Sequence, residues 1–354
     1  MRPQRVLVFA AAILALVSLG GHFATQVARA AQTWNVQVGG DGDQIPGGGS
    51  LTAIGFFPAA ISVNAGDTVS WTFPSAEPHG VAFEAGQVPP FAFQDNPGPN
   101  PGEADISATF LPQNLNQING VFKPNIPFAS GVPDAPPDQR QPFTLTFTTP
   151  GVYNYDCQIH GPSMQGWIFV QPTTSPLGET PAQASARGQG EIGAALGGAN
   201  AAISGPPDEV QSFVLPGGTT VFPVVVGAEL NAGVAALAFH PSSLTLHRGD
   251  TVVFTATDPQ EIHTVTFLSG APEPPFVDIR PQPAGPPLII FPANVAGPSG
   301  GNTYKGTGFL SSGIMFPSSS FSITFDAPAG TYEFQCLLHG DAPLNMKGTI
   351  TVVQ

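Results

Sequence analysis

At 354 residues the chain has room for two or three domains. Its 42 Gly and 40 Pro argue against a mainly helical protein, while 42% hydrophobic content with 26 Phe supplies packed cores and strands. Ten basic residues against 24 acidic, a net charge of −14, exclude the basic footprint that nucleic-acid binding needs, and two cysteines cannot form a disulfide framework.

Arg2 and Arg5 precede an apolar run from Val6 to Gly20, and Val27-Ala28-Arg29-Ala30 offers a small-x-small cleavage site. That order is a secretory signal peptide, so a secreted or periplasmic protein cleaved near Ala30 is expected. An uncleaved N-terminal anchor, the one route to a membrane, is the alternative, because the run approaches the roughly 20 apolar residues of a span. Without residues 1–30 the chain carries seven basic residues against 24 acidic, which favours partners with basic faces.

The remainder is one unit written twice, with a period of about 180 residues, far beyond solenoid repeats. Residues 53–67 (AIGFFPAAISVNAGD) align without gaps to 236–250 (ALAFHPSSLTLHRGD). His79–Phe83 matches His263–Phe267, Phe143–Phe147 matches Phe321–Phe325, and Gly151–Cys157 matches Gly330–Cys336. Within each copy the apolar residues alternate, as Phe143, Leu145 and Phe147 do, which is the period of half-buried antiparallel strands. Gly66-Asp67 and Gly249-Asp250 read as hairpin turns. Several short strands per unit predict an all-β chain of two Greek-key sandwiches. The boundaries expected are a signal at 1–30, one unit at 31–172, a linker at 173–214 and a second unit at 215–354. Each unit holds a long Pro/Gly-rich insert, about 84–140 and 268–318, sharing Pro-Pro-Phe (89–91, 274–276) and a Ser-Gly pair (130–131, 312–313). Phe110, Phe122, Phe128, Phe291 and Phe309 recur through the inserts and predict order there. In the linker, Thr180-Pro181 is a helix start, with Ala184, Ile192, Ala195 and Leu196 giving a weak apolar face.

Chemistry concentrates in residues 157–164 (CQIHGPSM) and 336–346 (CLLHGDAPLNM). Each supplies a thiolate, an imidazole and a thioether just after a strand, and His79 and His263 add a second imidazole. Two His, one Cys and a weak axial Met are the ligand set of a blue-copper site. Thiolate and thioether favour Cu(I), and imidazole accommodates both oxidation states. Structural zinc takes Cys₄, Cys₃His or Cys₂His₂ sets, which a single Cys with a Met does not provide. His240 and His247 align with Phe57 and Asn64 and read as surface or turn residues.

On these motifs both halves resemble cupredoxins, the plastocyanin/azurin family of small blue copper proteins. The resemblance covers most of residues 33–171 and 220–354. It implies one type 1 copper per half, held by His79, Cys157, His160 and Met164 and by His263, Cys336, His339 and Met346. The loop from His339 to Met346 is longer than its counterpart, which leaves Met346 the weakest member of the set. The resemblance also implies that His160 and His339 lie near the surface as electron ports, where a redox partner protein docks. An electron carrier, not an enzyme, is therefore expected. The alternatives are a copper storage or delivery protein and an oxidoreductase of the multicopper oxidase or nitrite reductase kind. Those oxidoreductases need a His beside the Cys, whereas Asp156, Gln158, Gln335 and Leu337 stand there, and there is no His-x-His pair. Stores tend to use Met- or His-rich tracts, which are also lacking.

Overall fold

A computed structural model describes residues 29–86, 96–106, 111–112, 120–133, 135–203, 211–231 and 233–354. The apolar run from Val6 to Gly20, expected to direct export, lies outside the described residues, as do Phe110 and the Pro-Pro-Phe at 89–91. Among the described residues no helix is long and apolar enough to cross a membrane.

The alternating segments form strands, as their period requires. In the first half these are β1 (Thr33–Gln44), β2 (Ser50–Phe57), β3 (Ala60–Asn64), β4 (Thr68–Thr72), β5 (Ala82–Phe83), β6 (Phe143–Thr146), β7 (Gly151–Cys157) and β8 (Gly161–Gln171). The second half repeats them as β9 (Thr220–Asn231), β10 (Val234–His240), β11 (Ser243–His247), β12 (Thr251–Ala256), β13 (Thr266–Phe267), β14 (Ser320–Phe325), β15 (Gly330–Gln335) and β16 (Lys347–Val353). Strand order is β2-β1-β4-β6 facing β3-β8-β7-β5, and then β10-β9-β12-β14 facing β11-β16-β15-β13. Each half is thus a β-sandwich, and the two sandwiches share one order.

Gly66-Asp67 and Gly249-Asp250 do turn the chain, with φ of 101° and 99° at the glycines, but they are not hairpins. They carry it from one sheet to the other, since β3 and β4, like β11 and β12, belong to different sheets. The aspartates hold these corners closed. Asp67 accepts from the Asn64 and Gln32 N–H groups and from the Trp34 indole at 2.9–3.0 Å. Asp250 accepts from His247 and Thr220 at 2.8 and 2.9 Å. Burial alone would raise the Asp67 carboxyl, but these donors hold it below its ordinary value.

Aromatic rings fill the space between the sheets. Trp71 on β4 meets Tyr155 on β7 edge-on at 5.3 Å, and Phe254 on β12 meets Phe334 on β15 in the same way at 5.4 Å. Each ring pair fixes the strand that leads, two residues later, to the cysteine.

β2 and β10 pair antiparallel, joining the two front sheets into one of ten strands. Leu51 faces Ala236, Ala53 faces Val234 and Thr52 faces Ala235. In the repeat, Leu51 corresponds to Val234 and Ala53 to Ala236, so a local two-fold passes between Thr52 and Ala235. The seam is self-complementary, like an isologous dimer interface within one chain.

The helix announced by Thr180-Pro181 is α1 (Pro181–Ile203), 23 residues long. Thr180 and Gln183 cap its start reciprocally, the Gln183 N–H reaching Thr180 Oγ1 at 3.3 Å and the Thr180 N–H reaching Gln183 Oε1 at 2.9 Å. Its Ala195, Leu196 and Ala199 lie over Leu51, Ala53, Val234 and Ala236, so the linker covers the seam. Gly188 allows the approach, because a Cβ there would meet the backbone of Phe57 and Pro58 within 2.7 Å.

The inserts are ordered where described, and they pair with each other. Strands at 96–97, 104–105, 278–280 and 288–291 form a four-stranded sheet in which Phe291 faces Ala104 and Ile290 faces Asp105. The pairing is apolar on one side, where Ile106, Ile289, Phe291 and Val295 pack against Leu337, beside Cys336. An Arg280–Glu103 ion pair at 2.8 Å adds to it.

Candidate metal centres

β7 and β15 deliver Cys157 and Cys336 to the end of each sandwich, and a short loop returns the downstream histidine over the sulfur. In the first half the Nδ1 atoms of His79 and His160 are 3.2 Å apart, and they lie 3.9 and 3.3 Å from Cys157 Sγ. In the second half His263 and His339 Nδ1 are again 3.2 Å apart, and Cys336 Sγ is 3.5 Å from His339 Nδ1. Three donors around one ion, with bonds of about 2.0 Å to nitrogen and 2.3 Å to sulfur, stand roughly 3.5–3.7 Å from one another. The separations of 3.2–3.9 Å in the first cluster and of 3.2 and 3.5 Å in the second lie within a few tenths of an ångström of that spacing, so the residues fit a metal ion. All six side chains are buried.

The electrostatics favour a thiolate. Burial alone would raise the Cys157 and Cys336 thiols, yet His160 and His339 beside them hold both below the ordinary value, the second well below. Backbone N–H groups of Gly80 and Thr264 point at the sulfurs at 3.5 and 3.3 Å. Burial, and then the neighbouring His160, push His79 well below the ordinary imidazole value, which leaves a free lone pair. Burial opposes charge on His160 and His339 too, but Glu261 and Cys157 raise the first well above its ordinary value, and Glu77 and Cys336 do the same for the second.

Met164 on β8 and Met346 just before β16 are both buried in the core that contains the cysteines. The longer second loop closes on itself at the cluster: the Met346 N–H donates to the His339 carbonyl at 2.9 Å, and the Cys336 N–H donates to the Met346 carbonyl at 3.1 Å. Its extra length therefore does not carry Met346 away from the site. His240 and His247 are exposed, as a turn position suggests.

A second expectation is overturned. His160 and His339 are not at the surface; they are 5% and 0% exposed. The other half covers them. His160 Nε2 meets Glu261 Oε1 at 2.9 Å, and His339 Nε2 meets Glu77 Oε2 at 3.2 Å. A partner cannot touch either imidazole, because the seam brings the two loop ends face to face.

Sequence reasoning missed three supports. Gly39 and Gly227, with φ of 69° and 65°, sit in bulges of β1 and β9, and a Cβ on either would occupy the place of the His79 or His263 ring. The repeated Val-x-Val-Gly of residues 36–39 and 224–227 was the available signal. The Ser-Gly pairs of the inserts are clamps: Ser130 and Ser312 accept the Val81 and Val265 N–H groups at 2.9 and 2.8 Å, locking the segment that follows each upstream histidine. Glu77 and Glu261, each two residues before that histidine, were the third.

No protein-family model matches the chain. Among curated proteins it is 28% identical over 124 residues to chloroplastic plastocyanin of Physcomitrium patens, covering 35% of this chain and 54% of that protein. It is 28% identical over 146 residues to chloroplastic plastocyanin of Tetradesmus obliquus, covering 41% of this chain and 72% of that one. The chain thus spans little more than half of the first of these relatives. Solved amicyanin structures are also similar: a Cu(I) form at 18% identity covers 38% of this chain and 82% of amicyanin, and a reduced form at 20% covers 40% and 92%, each with a TM-score of 0.23. Its similarity in sequence to plastocyanin and the buried Cys/His/His cluster closing each of its sandwiches together support a cupredoxin-like family for the chain.

Proposed function

We propose that this is an exported copper-binding electron-transfer protein with one type 1 copper site in each half. The observation that carries the reading is the pair of matching clusters, each with two Nδ1 atoms and one Sγ at metal-ligand separation. The first site would comprise His79, Cys157, His160 and Met164, and the second His263, Cys336, His339 and Met346. The halves are domains at 31–172 and 215–354, with 173–214 as the connection and 1–30 as the export signal. Copper in such a donor set supplies a one-electron Cu(II)/Cu(I) couple.

The protein's part is to hold the donors still and dry. The aromatic pairs fix the cysteine strands, the bulge glycines seat the upstream histidines, and the backbone N–H groups on sulfur stabilise thiolate charge. Burial of both clusters suits retention of a metal better than delivery of one. The residues flanking each cysteine, Asp156, Gln158, Gln335 and Leu337, offer no imidazole towards a catalytic metal, so the reading is a carrier and not an oxidase. Its acidity suits redox partner proteins with basic docking faces. Those faces must approach the protein elsewhere than at the His160 and His339 rings.

A redox titration run beside a copper-exchange assay tests this. A carrier cycles reversibly by one electron per copper and yields its metal to a chelator slowly in both oxidation states. Rapid loss of copper without reversible reduction would establish a store instead.

A further inference from the structure

Glu77 and Glu261 stand at equivalent positions of the repeat, each two residues before its own half's upstream histidine. In space each serves the other half. Glu261 Oε1 is 2.9 Å from His160 Nε2, while Glu77 Oε2 is 3.2 Å from His339 Nε2, and Glu261 Oε2 is 3.9 Å from His339 Nε2. All four side chains are at most 5% exposed. The local two-fold of the β2–β10 seam produces this exchange, since it places the Cys-His loop of one half opposite the glutamate of the other.

A histidine that offers Nδ1 to a metal directs its Nε2–H to a carboxylate or carbonyl, and that partner fixes the ring and raises its basicity as a ligand. Here the partner is supplied across the seam, as a hydrogen bond between His160 and Glu261 and as a close ion pair of Glu77 with His339. We propose that Glu261 is the positioning residue for His160 and Glu77 the positioning residue for His339, so that each half completes the other's metal site and the two centres form one coupled pair. The pairing also accounts for two buried carboxylates that serve no purpose in a single sandwich. It rests on the copper reading above and adds to it a communication path, from imidazole through carboxylate to imidazole, within the chain.

Sequence neighbourhood and spatial contact predict opposite results, which makes the test sharp. In full-length protein, Cys336→Ser leaves only the first site and Cys157→Ser only the second. Into each background Glu77→Ala and Glu261→Ala are introduced, and Cu(I) affinity is measured by competition with a chromophoric chelator, with visible and electron paramagnetic resonance spectra of the Cu(II) form. Loss of Glu261 should weaken the first site about 10- to 100-fold and alter its spectrum, and loss of Glu77 should do the same to the second. Glu261→Gln and Glu77→Gln, which keep an acceptor oxygen and the side-chain volume, should recover part of the affinity, and they decide the pattern alone if an alanine variant does not fold. The proposal is overturned if Glu77 variants weaken the first site and Glu261 variants the second, if both sites respond equally to either change, or if neither responds. Failure of the single-site chains to bind copper at all would instead overturn the copper reading, and this inference with it.

Discussion

Gly39→Ala is a severe change for so small a group. Gly39 has φ of 69°, where an L-residue is strained by about 1–2 kcal/mol. Its new Cβ would collide with the His79 imidazole and come within 2.8 Å of Ser75 Cβ. Forcing a methyl into a filled core adds about 1–3 kcal/mol. His79 cannot withdraw freely, because it is buried and its Nδ1 is set 3.2 Å from His160 Nδ1. If the strain is relieved by displacing His79, the total of about 2–5 kcal/mol appears as a loss of metal affinity of roughly 30-fold or more. If the ring stays, the same energy appears as lost stability. Chelator competition and thermal unfolding on one preparation, with each site isolated by its cysteine variant, measure both. Gly227→Ala should do the same to the second site and spare the first. Unchanged affinity together with an unchanged Tm in Gly39→Ala would refute the idea that the bulge seats the histidine.

Asp67→Ala should cost about 3 kcal/mol or more in denaturant unfolding, because the N–H groups of Gln32 and Asn64 and the Trp34 indole lose their acceptor. Since the Asp67 carboxyl lies below its ordinary 3.8 in the folded chain, its contribution is present above that pH and disappears as pH falls through the folded value. The variant should therefore show a shallower loss of stability on acidification, and parallel profiles would count against this. Glu84 titrates in the opposite sense: burial and the adjacent Asp156 push its carboxyl from 4.5 up to about 8. Its ionisation therefore weakens the fold as pH rises from about 4.5 to 8. Glu84→Gln should remove that decline, and a profile that still falls in the same window would contradict the assignment. Ala199→Glu would place a carboxylate among Leu51, Ala53, Val234 and Ala236. A cost of about 3 kcal/mol or more, with faster proteolysis of the helical connection, is expected; a neutral effect would mean that the helix does not cover the seam.

What was legible in the sequence was local or duplicated. Alternation in Phe143–Phe147 and Gly151–Cys157 marked strands because burial on one face imposes period two. Thr180-Pro181 marked a helix start because the cap is a contact between residues three apart. The Cys-x-x-His segments gave two of the three side chains that each cluster brings together, since a single loop supplies both. The contacts that escaped notice join distant segments. Nothing in residues 50–57 says that they pair with 234–240, and nothing in the inserts says that each finds the other. That arrangement decides the environment of His160 and His339, so the exposed ports that a single sandwich implies became buried junctions here. The Gly66-Asp67 turn misled for a related reason: the same glycine conformation serves a hairpin or a corner between sheets, and only the sheet partners of β3 and β4 distinguish them.

Copper counting on the purified chain and on its two cysteine variants tests the central claim most directly. Two coppers per chain with an intense blue absorption that reductant bleaches are predicted, and one copper with a single type 1 resonance in Cys157→Ser and in Cys336→Ser. A chain that stays colourless with Cu(II) and oxidant, or one that keeps both coppers after losing either thiol, would contradict it.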